Sequence, residues 1–140
     1  MTRHRSRPYE GHRAVSWTRI DMLLALYDAA LMELERARLA HAKSDEVLAK
    51  RHCNKALRVV CQLRYGVDPQ YGELSQQLER LFEYVTTCVA GGSAANVADT
   101  IVVLSTLREG FEAIRDEAVE MEKSGKIPPL EFAPTLERLA

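Results

Sequence analysis

Thr18-Arg19-Ile20-Asp21-Met22-Leu23-Leu24-Ala25-Leu26-Tyr27-Asp28-Ala29-Ala30-Leu31 is the stretch whose reading decides the fold. Thr18 can cap a helix by accepting a free backbone N–H, and Asp21 suits the positive N-terminal turn. Ile20, Leu23, Leu24, Tyr27, Leu31, Leu34 and Ala37 follow at the i, i+3, i+4 spacing of an amphipathic helix. With each residue about 100° on from the last, the inner stripe centres on Leu23, Tyr27 and Leu34. A second apolar set, Met22, Ala25, Leu26, Ala29 and Met32, falls roughly opposite. Only Asp21, Asp28, Glu33 and Glu35 interrupt the circumference. A helix this apolar needs cover on two sides. The second cover is the N-terminal arm, an off-centre helix of the same fold, or a partner. Two methionines on that side suit a surface that accepts varied helices.

The same periodicity continues downstream. The first helix fades near Ala42, and Lys43-Ser44-Asp45 reads as a turn that supplies a new cap. A second helix is expected from about Glu46 to Tyr65, with Ala49, His52, Cys53, Ala56, Val59, Val60 and Leu63 inside. Gly66-Val67-Asp68-Pro69 ends it, since Pro forbids continuation. A third helix starts between Gln70 and Glu73 and turns Leu74, Leu78, Leu81, Phe82, Val85, Cys88 and Val89 inward. After Gly91-Gly92-Ser93 a fourth begins between Ala94 and Asn96 and reaches about Lys123. Its inner face is Val97, Ile101, Leu104, Leu107, Phe111, Ile114, Ala118 and Met121. Val102, Thr106, Gly110 and Ala113 form a strip of small residues on its other side, and Leu57 and Cys61 point away from the inner stripe of the second helix. Short connections make neighbours antiparallel. The expected fold is all-α: an antiparallel four-helix bundle over residues 18–124, with an N-terminal arm (1–17) and a short C-terminal tail (125–140) in which Thr135 to Ala140 form a helical turn.

A chain of 140 residues suits one such domain. Hydrophobic residues at 46% and charged residues at 28% set it apart from disordered chains. A formal net charge of −1 excludes a globally basic nucleic-acid binder. The basic residues of the arm (Arg3, Arg5, Arg7, Arg13) read as a solvated tail. Cys53, Cys61 and Cys88 lie inside helical patterns without a CxxC, which is the usage of a reducing compartment rather than of a disulfide framework. The apolar run Met22 to Tyr27 ends at Asp28, far short of the about 20 residues a membrane span needs. No signal-type apolar core follows the basic start, so a cytoplasmic protein is expected.

The constellations that carry catalysis are missing from the sequence. There is no HExxH, no Glu-x-x-His of the di-iron bundles, no phosphate-binding Gly loop with its Lys and no GxSxG elbow. His41 and His52 fall on different helices, and His4 and His12 in the arm. No enzyme, no cofactor and no metal site is expected.

Leu24-Ala25-Leu26-Tyr27-Asp28-Ala29-Ala30-Leu31 resembles the "LMLYDGAL" core of the flagellin-specific export chaperones, the FliS family. Tyr9 stands where that family carries an N-terminal Tyr ahead of a "TASP"-like helix start, here Ser16-Trp17-Thr18-Arg19 without the Pro. Tyr71-Gly72-Glu73-Leu74 is similar to its "GGEIA", and Leu81-Phe82-Glu83-Tyr84-Val85 to its "LYDYM". Leu104-x-x-Leu107-Arg108-Glu109-Gly110-Phe111 resembles "LLxxLREAW", with Phe111 for Trp and, upstream, Ala29 for Gly. The landmarks run in order over about residues 9 to 115.

The resemblance implies a chaperone of the bacterial cytosol that binds the disordered C-terminal segment of flagellin. Binding blocks premature polymerisation and supports secretion, with the flagellar export gate and regulatory proteins as further partners. No nucleic-acid partner and no stable membrane insertion are expected. Met22, Leu23, Leu26, Tyr27 and Ala29 are candidates for the client groove or its floor. Leu57, Val103 and Leu107 are candidates for adjoining grooves, and Tyr9 for a plug that covers the groove. The competing reading is a non-catalytic helical adaptor that dimerises through its first helix.

Overall fold

The computed structural model describes residues 18–65 and 73–126, with side chains of the second block from Gln76 on. The arm, the Gly66–Pro69 turn, the side chain of Leu74 and the tail from 127 on, with its expected helical turn, lie outside the described residues. Among the described residues there are five α-helices and no strand: α1 (Arg19–Ala42), α2 (Glu46–Tyr65), α3 (Glu73–Gly91), α4 (Ala94–Ala113) and α5 (Arg115–Lys123).

Local chemistry sets the boundaries. The Thr18 hydroxyl accepts the Asp21 N–H at 3.3 Å and donates its own hydrogen to the Asp21 carboxylate at 2.9 Å. After α1 the chain turns through Ser44 at φ 59°, and the Asp45 carboxylate caps α2 by accepting the Leu48 N–H at 3.1 Å. Gly92 sits at φ 71°, a left-handed conformation that favours glycine. Ser93 then caps α4 by accepting the Asn96 N–H at 3.0 Å.

The first four helices form an antiparallel bundle in which α1 packs on α2 and α4, and α3 packs on α2 and α4. Its core joins Tyr27, Ala30, Leu34 and Ala37 of α1 to Cys53, Ala56, Val59, Val60 and Leu63 of α2. Phe82, Val85 and Val89 of α3 and Val97 and Leu104 of α4 close it. The expected inner face of α2 is buried throughout, apart from His52 at its margin. Thr100 joins the core by turning its hydroxyl back to the Asn96 carbonyl at 2.8 Å, which satisfies it without a partner from another helix.

Two expectations fail. First, the division of α1 into an inner stripe and a separate second face does not hold. Met22 and Ala25, both assigned to the second face, are buried, whereas Leu23 and Leu31 are half-buried. Glu33 is also buried, held by His52 Nδ1 at 2.8 Å and by the Arg36 guanidinium at 3.3 Å. Second, the fourth helix does not run to Lys123. It stops at Ile114, which is 47% exposed and therefore not on an inner face, and α5 begins immediately after it.

The physical reason lies in the length of α1. His41 reaches the Gly92 carbonyl at 2.8 Å, Asp28 pairs with Arg108 at 2.5 Å, and Asp21 pairs with Arg115 at 2.7 Å. In that register α4 runs out of α1 to pack on just past Ile114. A straight continuation would carry Ala118 and Met121 beyond the bundle. The turn instead brings α5 back against the start of α1, with Ala118, Val119 and Met121 half-buried and Glu122 accepting the Arg19 N–H at 2.8 Å.

Leu34 is fully buried at the centre of this packing. Leu34→Ala is expected to cost about 2–5 kcal/mol in urea unfolding, the range for a large-to-small change in a packed core. Thr18→Ala, which removes only a cap, should cost about 1 kcal/mol. Equal losses from the two would show that α1 is not the centre of the core.

Candidate functional site

The N-terminal half of α1 carries most of the candidate residues, and the structure separates them by depth. Tyr27 is 1% exposed, its ring 5.7 Å from that of Phe111 at a 31° tilt, and burial pushes its phenol well above the ordinary tyrosine range. It is a floor residue. Met22 is buried as well. Leu23, Leu26 and Ala29 are half-buried, resting on the core while keeping part of their surface open. Tyr9 lies outside the described residues.

The remaining candidates sit on other seams. Leu57 is half-buried and packs on the core. It lies about 20° around α2 from Arg64, whose guanidinium reaches Glu79 of α3 at 3.0 Å, so it belongs to the α2–α3 side. Val103 and Leu107 are half-buried one and two turns beyond Asp99. The Asp99 carboxylate lies near Tyr84 of α3, which places both on the α3–α4 side. The structure thus brings Met22, Leu23, Leu26 and Ala29 together on one helix. It leaves Leu57 apart from them, and Val103 with Leu107 as a third strip.

Sequence reading passed over Tyr84 as a contributor. It is 49% exposed at the α3–α4 seam, and its phenol is held above its ordinary value, first by its hydrogen bond with Cys88 and then by the negative charge nearby. The position of Tyr84 within the "LYDYM"-like segment was the available signal. The small strip Val102, Thr106, Gly110 and Ala113 is exposed, and a Cβ at Gly110 would meet nothing within 4 Å.

Charge frames these seams. Asp21 is buried between the Arg115 guanidinium, with contacts at 2.7 and 3.1 Å, and the Thr18 hydroxyl. The arginine is raised above its usual value chiefly by that hydrogen bond. Among the described residues no group of His, Cys, Asp and Glu could hold a metal ion, and no helix is long and apolar enough to cross a membrane.

The arrangement is that of a helical bundle whose apolar seams remain partly open. The family model described as "Flagellar protein FliS" matches residues 1–118. The chain belongs to the FliS family of flagellar export chaperones. No curated protein and no solved structure gives a significant match.

The cysteines offer a check on the packing. All three are free; Cys53 and Cys88 are buried, Cys61 is exposed, and burial pushes the Cys53 thiol up, which leaves little thiolate near neutrality. A thiol reagent at pH 8 should therefore label Cys61 rapidly in the native protein and the other two only on unfolding. Prompt labelling of Cys53 would show that the α1–α2 interface opens readily.

Proposed function

We propose that this protein is a cytosolic chaperone for the disordered C-terminal segment of flagellin. The segment orders into helices along the open seams of the bundle. In this state flagellin does not polymerise early, and the complex is presented to the export gate. The observation that carries the reading is the run of half-buried apolar side chains on α1, Leu23, Leu26 and Ala29, in a chain that the family model covers over residues 1–118. Leu57, Val103 and Leu107 extend the contact along the other seams, Met22 and Tyr27 form its floor, and Tyr9 in the arm (1–17) covers it when no client is bound.

The energetics require several seams rather than one. A disordered client loses conformational entropy as it orders, so its affinity rests on a large buried apolar area. A stable complex then shows a large negative heat-capacity change.

Calorimetric titration with the C-terminal segment of flagellin from the same organism tests the reading. Tight one-to-one binding with that heat-capacity signature is expected. Leu26→Asp should abolish binding while helicity is retained, because Leu26 already faces partly outward. If the variant unfolds, Leu26 is core and the groove is elsewhere. No binding by a folded bundle, with the arm deleted to exclude self-blocking, would overturn the flagellin reading. A dimer by light scattering would then favour the adaptor.

A further inference from the structure

The charge of α2 sets it apart from the rest of the bundle. After Glu46 at its first turn it contains no carboxylate, while Lys50, Arg51, Lys55, Arg58 and Arg64 are all basic. Each of the other four helices carries more acid than base. Elsewhere four arginines of the bundle are neutralised: Arg36 holds Glu33, Arg38 holds Glu35, Arg108 holds Asp28 and Arg115 holds Asp21. On α2 only Arg64 is used this way, against Glu79. Lys50, Arg51, Lys55 and Arg58 form no ion pair among the described residues, and all but the half-buried Lys55 are exposed.

These cations form a line. At about 100° per residue, Val47, Arg51, Asn54, Arg58 and Tyr65 fall within about 60° of one another, opposite the buried Ala49, Ala56 and Val60. Lys50 and Lys55 flank the line on either side. Arg51 and Arg58 stand two turns apart, about 10 Å, and Val47 and Tyr65 mark the ends about 27 Å apart. Both end residues are apolar and open, Val47 at 73% and Tyr65 at 90% exposure.

We propose that the outer face of α2 docks a helical protein segment that is acidic along one side and apolar at both ends of that side. This surface is separate from the client seams, and the inference does not depend on the flagellin reading. Carboxylates repeating at one- and two-turn intervals on the partner match the spacing of Arg51, Lys55 and Arg58. Because these cations pair with none of the described carboxylates, docking breaks no ion pair among the described residues, and the positive line speeds encounter with an acidic partner. Arg and Tyr are the residue types that carry interface energy, and Tyr65 and Val47 fix the partner lengthwise. An anionic membrane is disfavoured, since the inner face of α2 is used in the core and the outer face offers only Val47 and Tyr65, about 27 Å apart, too little apolar surface to insert. Single-stranded nucleic acid is disfavoured because the cations have no aromatic platform among them, Tyr65 standing at the far end.

The test uses the full chain and an alanine-based helical peptide of about 20 residues with glutamates at i, i+4, i+7 and i+11. Fluorescence anisotropy should show binding that weakens with added salt and is lost when the glutamates become glutamines. R51E/R58E should weaken it about tenfold or more, and V47A/Y65A should weaken it with no change in charge. K123E/K126E, at the end of α5 and off the α2 face, changes the net charge equally and should leave binding intact; circular dichroism checks that each variant is folded. Three results would overturn the proposal. The first is an equal loss in K123E/K126E, which reports net charge alone. The second is no peptide binding by the folded wild type. The third is tighter binding of oligouridylate or of phosphatidylglycerol vesicles than of the peptide.

Discussion

A helix packed on several sides cannot leave a charge without a partner, because a buried charge without its counter-ion costs several kcal/mol. α1 is that helix: its two buried carboxylates are held, Asp21 by Arg115 and Glu33 by His52 and Arg36, and its two partly exposed ones also pair, Asp28 with Arg108 and Glu35 with Arg38. Three of these contacts reach other helices and set the register of α2, α4 and α5 along α1. The apolar surface supplies the driving force for assembly, whereas the charges select one alignment from the several that a nonspecific apolar stripe would allow.

The parts of the fold that were legible in the sequence are those whose causes are local. Thr18, Asp45 and Ser93 announce helix starts because a cap acts within three residues. The inner face of α2 was legible because its apolar stripe is narrow and the opposite side is polar. The break at Ile114 was not, since neither Pro nor Gly stands at it; it is set by where another helix begins, Arg115 meeting Asp21 across a sequence separation of 94 residues. The burial of Glu33 was hidden for a similar reason, as its partner His52 comes from α2.

The candidate site was legible in outline. An α1 that is apolar nearly all round is plain from its spacing, but depth is not. Met22 and Leu26 are both large, apolar and on the same side of the helix, yet one is buried and the other half open. What separates them is the surrounding structure, which spacing along one helix does not encode. The same holds for Leu57, Val103 and Leu107, whose membership of different seams follows from which helices stand next to each other.

The fold-back of α5 has a topological consequence. Because Glu122 meets the backbone of Arg19, the chain enters and leaves the bundle at one end. Among the described residues the opposite end holds only the turns around Ser44 and Gly92. A circular permutant opened at Ser44, with the entry and exit points joined by a short linker, would keep every interhelical ion pair of the bundle. Fusion partners attached directly at Thr18 and Lys126 would crowd the same pole.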